Sequence, residues 1–353
     1  MLNRFSAGIA ALSLLAGVVI APVPGLTAVP LGGLTVAVSP SGDRLVAGGD
    51  TRTLLVLDPA TLAVKERVWI ETSIVALEFD KSGSTLAVTD TSGEVLLFDT
   101  SNWKQRAAIS ARGAVAYAAE TGLVAGSDKS NKSVSIFSMN DGKEIRKLEL
   151  PAGANVANLG FSADGKRLAV ILKATDGGEE KVANNAIPKD LKGLARDEFV
   201  LKNDGKRSEL LVFDTASGKL LSKVASYYSL DNDAVVYFDG DAVLSVNYRN
   251  INARFAPDGN AALFATANGF NYGTGVSPDQ KLLLSGGLRS FSVTKPDGSN
   301  QAKGQLSKLP GWPEYFKGFS VTADGKTIYG ATTAYRIAKI GPDGKVIAVA
   351  PVK

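Results

Sequence analysis

Whatever chemistry this chain performs must be done without histidine or cysteine, since neither occurs among its 353 residues. That removes the commonest general base, the commonest zinc ligand, the thiolate nucleophile and every disulfide. Carboxylates remain, and two of them flanking a cleft would suffice for glycoside hydrolysis, but no spacing singles out a pair. A calcium site could be imagined at Asp231, Asp233, Asp239 and Asp241. Tyr237-Phe238 between them and the lack of EF-hand spacing favour a strand and turn instead. The expectation is therefore no catalytic residue, no metal and no cofactor. The more informative residues are aromatics and arginines: Arg52, Arg112, Tyr227, Tyr228, Tyr248, Arg249, Phe270, Tyr272, Arg289, Trp312, Tyr315 and Phe316. These types make interaction hot spots and stack on the rings of sugars or bases.

Such residues need a scaffold, and the chain repeats itself. In Val36–Ile70 a short apolar strand ends in SPSGD, followed by RLVAGG, LLVLD and the alternating AVKERVWI. Related turns recur as FDKSG at 79–83, AETG at 119–122, SADG at 162–165, SPDQ at 277–280 and TADG at 322–325. The apolar second strand of each unit is anchored at Leu45, Leu86, Leu123, Leu168, Val243, Leu283 and Ile328. Most steps between anchors are about 37 to 45 residues; the step from Leu168 to Val243 contains a polar insertion at about 173–208. Asp-Gly and Ser-Gly pairs tolerate positive φ and make tight turns. A single four-stranded unit cannot bury both of its apolar faces, so the units must stack, and radial closure leaves only short edges. The expected fold is all-β, a β-propeller of seven four-stranded blades. APDG at 256–259 would begin a blade if read as a first turn; read as a third-to-fourth strand hairpin, like KPDG at 295–298 and GPDG at 341–344, it preserves the count of seven.

In that architecture the aromatics and arginines fall on second-to-third strand loops and on links between blades, which open on one face. The insertion leaves the same face, with a helix expected in DLKGLARDEF after Pro188, Lys189 and Asp190, carrying Leu191, Leu194 and Ala195 on one side. It is expected to overhang the mouth of the central channel.

SPSGDRLVAGG with LLVLDPATL, and ELLVFDTASGKLL at 209–221, resemble the repeats of bacterial YVTN-type and WD-like propellers. The resemblance spans nearly the whole chain after its N-terminal segment. It departs from true WD repeats in having no Gly-His pair, and in replacing Trp-Asp with Leu57-Asp58, Phe98-Asp99 and Phe213-Asp214, whose aspartates read as turn residues. What the resemblance implies is a periplasmic or extracellular binding scaffold. The histidines, docking tryptophans and Ser-x-Asp repeats of propeller enzymes are missing.

At the N-terminus, Arg4 precedes an apolar run from Ala7 to Ile20, too short to span a bilayer, with Leu26-Thr27-Ala28 as a small-residue cleavage site. Residues 1–28 are thus expected to be a signal peptide and 29–353 one domain, exported and without a membrane span. A net charge of +4 with no basic cluster argues against nucleic acid. The function expected is non-catalytic binding of a protein or cell-envelope polymer. A carboxylate enzyme at the channel mouth and a polyanion or nucleic-acid binder are the alternatives.

Overall fold

The computed structural model describes residues 32–177, 181–183, 186–226, 233–311 and 313–352. The proposed signal peptide, Tyr227, Tyr228 and Trp312 lie outside the described residues.

The fold is all-β and β-propeller-like, built from antiparallel four-stranded sheets in sequence order. The first contains β1 (Leu34–Val38), β2 (Leu45–Gly49), β3 (Thr53–Leu57) and β4 (Val64–Trp69). The second contains β5 (Ile74–Phe79), β6 (Thr85–Asp90), β7 (Glu94–Asp99) and β8 (Lys104–Ser110). The third contains β9 (Val115–Ala118), β10 (Leu123–Ser127), β11 (Val134–Ser138) and β12 (Glu144–Leu148). The fourth has β13 (Val156–Phe161) and β14 (Arg167–Leu172), then the insertion with short β15 (Thr175–Asp176) and helix α1 (Gly193–Lys202), then β16 (Lys206–Asp214) and β17 (Leu220–Ser226). The fifth contains β18 (Asp233–Asp239), β19 (Ala242–Asn247), β20 (Asn252–Phe255) and β21 (Ala261–Phe264). An eight-stranded sheet ends the chain: β22 (Gly273–Val276), β23 (Leu283–Gly286), β24 (Ser290–Thr294), β25 (Asn300–Gln305), β26 (Phe316–Val321), β27 (Ile328–Thr332), β28 (Arg336–Ile340) and β29 (Val346–Pro351). Its two halves meet at one parallel bridge, Thr274 to Gly318.

Every anchor lies on a second strand, in the same place relative to the third: Leu45 opposite Leu57, Leu86 opposite Phe98, Leu168 opposite Phe213 and Ile328 opposite Ile340. These second strands are buried along nearly their whole length because both faces pack on neighbouring sheets, whereas fourth strands such as β4 are largely exposed. Apolar clusters fill the junctions. Ala37, Val46 and Leu54 meet Leu77, Phe79 and Val88, and Leu34, Val36 and Leu45 meet Tyr329, Ala331 and Ile337 of the last sheet. The second junction brings the first and last described sheets together, helped by the Val38 amide donating to Ser320 Oγ at 3.0 Å. Backbones approach closely at these junctions: a Cβ on Gly286 would sit 2.3 Å from that of Phe316.

First-to-second and third-to-fourth turns open on one side of the molecule, the turn face. Second-to-third turns and inter-sheet links open on the other, the loop face. APDG at 256–259 joins β20 to β21 and is a third-to-fourth hairpin, as expected. The helix begins at Gly193, later than expected, so Leu191 precedes it. It also does not overhang the mouth: α1 touches the outermost strand β21, and Leu201 packs on the cluster holding Val224, Ala253 and Phe255. Leu201, near the C-terminal end of the helix, is the helix residue packed on that cluster.

Candidate binding face

The loop-face turns share one backbone device. In four of them, a residue with left-handed φ points its carbonyl at the chain leaving the fourth strand. Arg52 (φ 58°) accepts from Ile70 N at 2.9 Å, Gly93 (φ 80°) from Arg112 N at 3.0 Å, and Arg289 (φ 59°) from Leu306 N at 2.9 Å. Tyr335 (φ 55°) accepts likewise from Val352 N at 2.8 Å. The position suits glycine, and three of these four turns carry a large side chain there.

Four of the aromatics singled out in the sequence come together. Tyr248 from the β19–β20 turn lies 5.1 Å from Tyr272, edge to face, and 5.5 Å from Phe270. Phe270 and Tyr272 share the β21–β22 link, 6.1 Å apart, and Tyr272 lies 4.4 Å from Tyr315, just before β26. Phe270 remains 48% exposed, as does its neighbour Leu288 at 47%, which bridges to Tyr315. Hydrogen bonding with Tyr248, followed by burial, raises the Tyr272 hydroxyl above the usual phenol range. Arg249 is exposed beside Tyr248, and Arg289 is half-buried beside Leu288. Arg52 stands apart, exposed on the first sheet. Phe316 does not belong to this surface. It is fully buried, with its ring stacked at 4.8 Å on Phe319, because β26 begins there and turns the side chain inward.

Two polar assemblies, neither anticipated from the sequence, hold these loops. Beneath Tyr248 and Phe270, buried Asn250 donates through Nδ2 to the carbonyls of Thr266 (3.1 Å) and Asn268, while its Oδ1 accepts from the Thr266 amide (2.7 Å) and Asn252 Nδ2 (3.1 Å). Asn271 Nδ2 donates to the Asn247 carbonyl at 2.9 Å, and Asn268 Nδ2 to the Ser285 carbonyl at 2.6 Å. Beside Tyr315, Glu314 is 0% exposed and holds Arg336 bidentately, with Nε to Oε1 at 2.8 Å, and also accepts from Thr332 Oγ1 at 2.8 Å. Its backbone carbonyl accepts from Arg289 N at 2.9 Å. The clue available in the sequence was the density of Asn in NYRNIN and TANGFNY, because buried amides must be satisfied.

The carboxylates have other partners. Asp50 on the loop face accepts from the Tyr335 hydroxyl at 2.6 and 2.8 Å. Asp239 and Asp241, from the imagined calcium site, pair with Arg254 at 2.9 Å and Arg167 at 2.8 Å. Asp58, Asp99 and Asp214 accept backbone amides within their turns, as expected of turn residues. Glu78, half-buried on β5, is pushed up to about 7 by desolvation. Burial raises the Tyr117 phenol, with the Glu78 charge adding to it, and the Tyr117 hydroxyl is hydrogen-bonded with Thr89 Oγ1. No family model matches the chain, and no curated protein matches it.

Proposed function

We propose that this chain is an exported, seven-bladed propeller that binds a protein or cell-envelope polymer on its loop face, without catalysis. The observation that carries the reading is the convergence of Tyr248, Phe270, Tyr272 and Tyr315 from three separate loops, held by buried amides and a buried ion pair. Rigid aromatics lose little entropy on binding, so loops anchored in this way favour affinity. The count of seven is supported by the division of the eight-stranded sheet at one bridge and by seven apolar clusters among the described residues, one for each junction around a ring. Export rests on the N-terminal apolar run, and N-terminal sequencing of the mature protein should begin near Val29; recovery of Met1 would remove that part of the reading.

The binding test is co-sedimentation of purified protein with washed cell-envelope fragments. Tyr248→Ala/Tyr272→Ala should weaken association at least tenfold, since a hot-spot side chain contributes roughly 2 kcal/mol. Unaltered co-sedimentation of this variant, or no association by the wild type, would overturn the proposal.

A further inference from the structure

We infer that the ligand of the loop face is an acidic polysaccharide, a polymer whose sugar rings carry carboxylate or phosphate groups; this rests on the binding-face reading above. The observation is an asymmetry among the arginines. On the turn face four guanidinium groups are occupied, the exception being Arg146 beside Gly218, whose Nε has no hydrogen-bond partner. Arg44 donates to Thr100 Oγ1 at 2.7 Å and to the Gly83 carbonyl at 3.1 Å, Arg106 to Thr85 Oγ1, Arg167 to Asp241 at 2.8 Å and Arg254 to Asp239 at 2.9 Å. On the loop face, Arg52, Arg112, Arg249 and Arg289 form no side-chain hydrogen bond or ion pair among the described residues.

Three of these four, Arg52, Arg112 and Arg289, occupy left-handed backbone at φ 58°, 56° and 59°. An L-residue there costs about 1 kcal/mol or more relative to its ordinary conformation. At Arg52 and Arg289 the backbone does not require arginine, because Gly93 performs the same carbonyl role in the second sheet; Arg112 is instead the amide donor to Gly93. A strained position filled by an unpaired cation, where glycine serves elsewhere in the same fold, points to a use for the side chain outside the molecule.

The placement of two of these cations selects the ligand class. Arg249 follows Tyr248 in the chain, and Arg289 follows Leu288, whose backbone bridges to Tyr315. Each therefore pairs an apolar surface with a guanidinium a residue away. A uronate or phosphorylated sugar presents the matching pair on one monomer, a C–H face to stack on an aromatic ring and an anion for the guanidinium fork. A glutamate side chain in an acidic protein offers the anion without that face. Loops already fixed by buried hydrogen bonds suit a stiff, repeating partner.

The test uses the full mature chain and polygalacturonate as probe, with dextran, poly-L-glutamate and duplex DNA of similar length for comparison, by calorimetric titration. Polygalacturonate should bind, weaken as sodium chloride rises from about 50 to 500 mM because exposed charges are screened, and bind at least tenfold better than the other three. Arg249→Ala/Arg289→Ala should lose at least tenfold in affinity, while Lys281→Ala/Lys326→Ala on the turn face, which removes the same charge, should lose less than twofold. Equal binding of dextran, poly-L-glutamate or DNA overturns the inference, as does an equal loss in the two double variants. If polygalacturonate fails to bind but envelope co-sedimentation still depends on Tyr248 and Tyr272, the ligand class is wrong and the binding face stands. If both fail, both readings fall.

Discussion

The two faces of this molecule solve the same problem, turning a strand through about 180°, with different residues. On the turn face, glycine occupies most left-handed positions of the first turns (Gly42, Gly83, Gly122, Gly165, Gly240, Gly325), and aspartates with serine or threonine partners clamp the chain. On the loop face the equivalent positions hold Arg52, Asn131, Asn250, Arg289 and Tyr335, with Gly93 the exception. The turn face is not free of left-handed side chains, since Leu62, Trp103 and Gln280 sit there, but the loop face holds more of them and adds exposed aromatic surface, as positions retained for interaction do.

The comparison can be broken most forcefully at the ion pair. Glu314→Ala leaves Arg336 buried without its partner and should lower unfolding free energy by about 3–5 kcal/mol in a urea titration. A loss under 1 kcal/mol would mean that the pair does not organise the Tyr315 loop. Asn250→Ala should cost about 1–3 kcal/mol, because the Thr266 amide and Asn252 lose their acceptor. It should also weaken envelope binding by loosening the floor under Tyr248.

Protonation separates the turn-face carboxylates from Glu78 on β5. Turn-face carboxylates such as Asp164 and Asp324, held low by hydrogen bonds, support the fold above the ordinary carboxylate pKa of about 4, and that support is lost as pH falls below it. Glu78 has the opposite sign. Its folded pKa, near 7, lies above the unfolded value, so the native state loses stability as pH rises from about 4.5 to 7. Glu78→Gln should therefore stabilise by about 1–2 kcal/mol at pH 8 and by almost nothing at pH 4, less than full desolvation would imply because water reaches the half-buried carboxyl. Equal effects at both pH values would show that packing, rather than charge, governs the site.

The smallest effect bears most directly on the two faces. Arg52→Gly should raise stability by up to about 1 kcal/mol, relieving a left-handed arginine, whereas Gly83→Ala on the turn face should lower it by about 1–2 kcal/mol. Differential scanning calorimetry of both variants decides the matter. If Arg52→Gly destabilises, the strain argument fails at that turn.

Much of the scaffold was legible in the sequence. The four-strand repeat, the anchors and the assignment of APDG follow from alternation of period two and from turn residues, which depend on neighbours close along the chain. The clustering of Tyr248, Phe270, Tyr272 and Tyr315 could be anticipated because the repeat assigns each to a loop on one face. Phe316 was misread as part of that surface, since one residue separates a loop from a strand and reverses the direction of the side chain. Only the tertiary structure decided that Glu314 pairs with Arg336, that Asn250 reaches Thr266 and Asn268, that α1 rests on the rim, and which arginines stay unpaired. Those outcomes depend on where separate turns and sheets meet. Periodicity fixes the order of elements along the chain, while pairing of polar groups is settled by the distances that closure of the fold imposes.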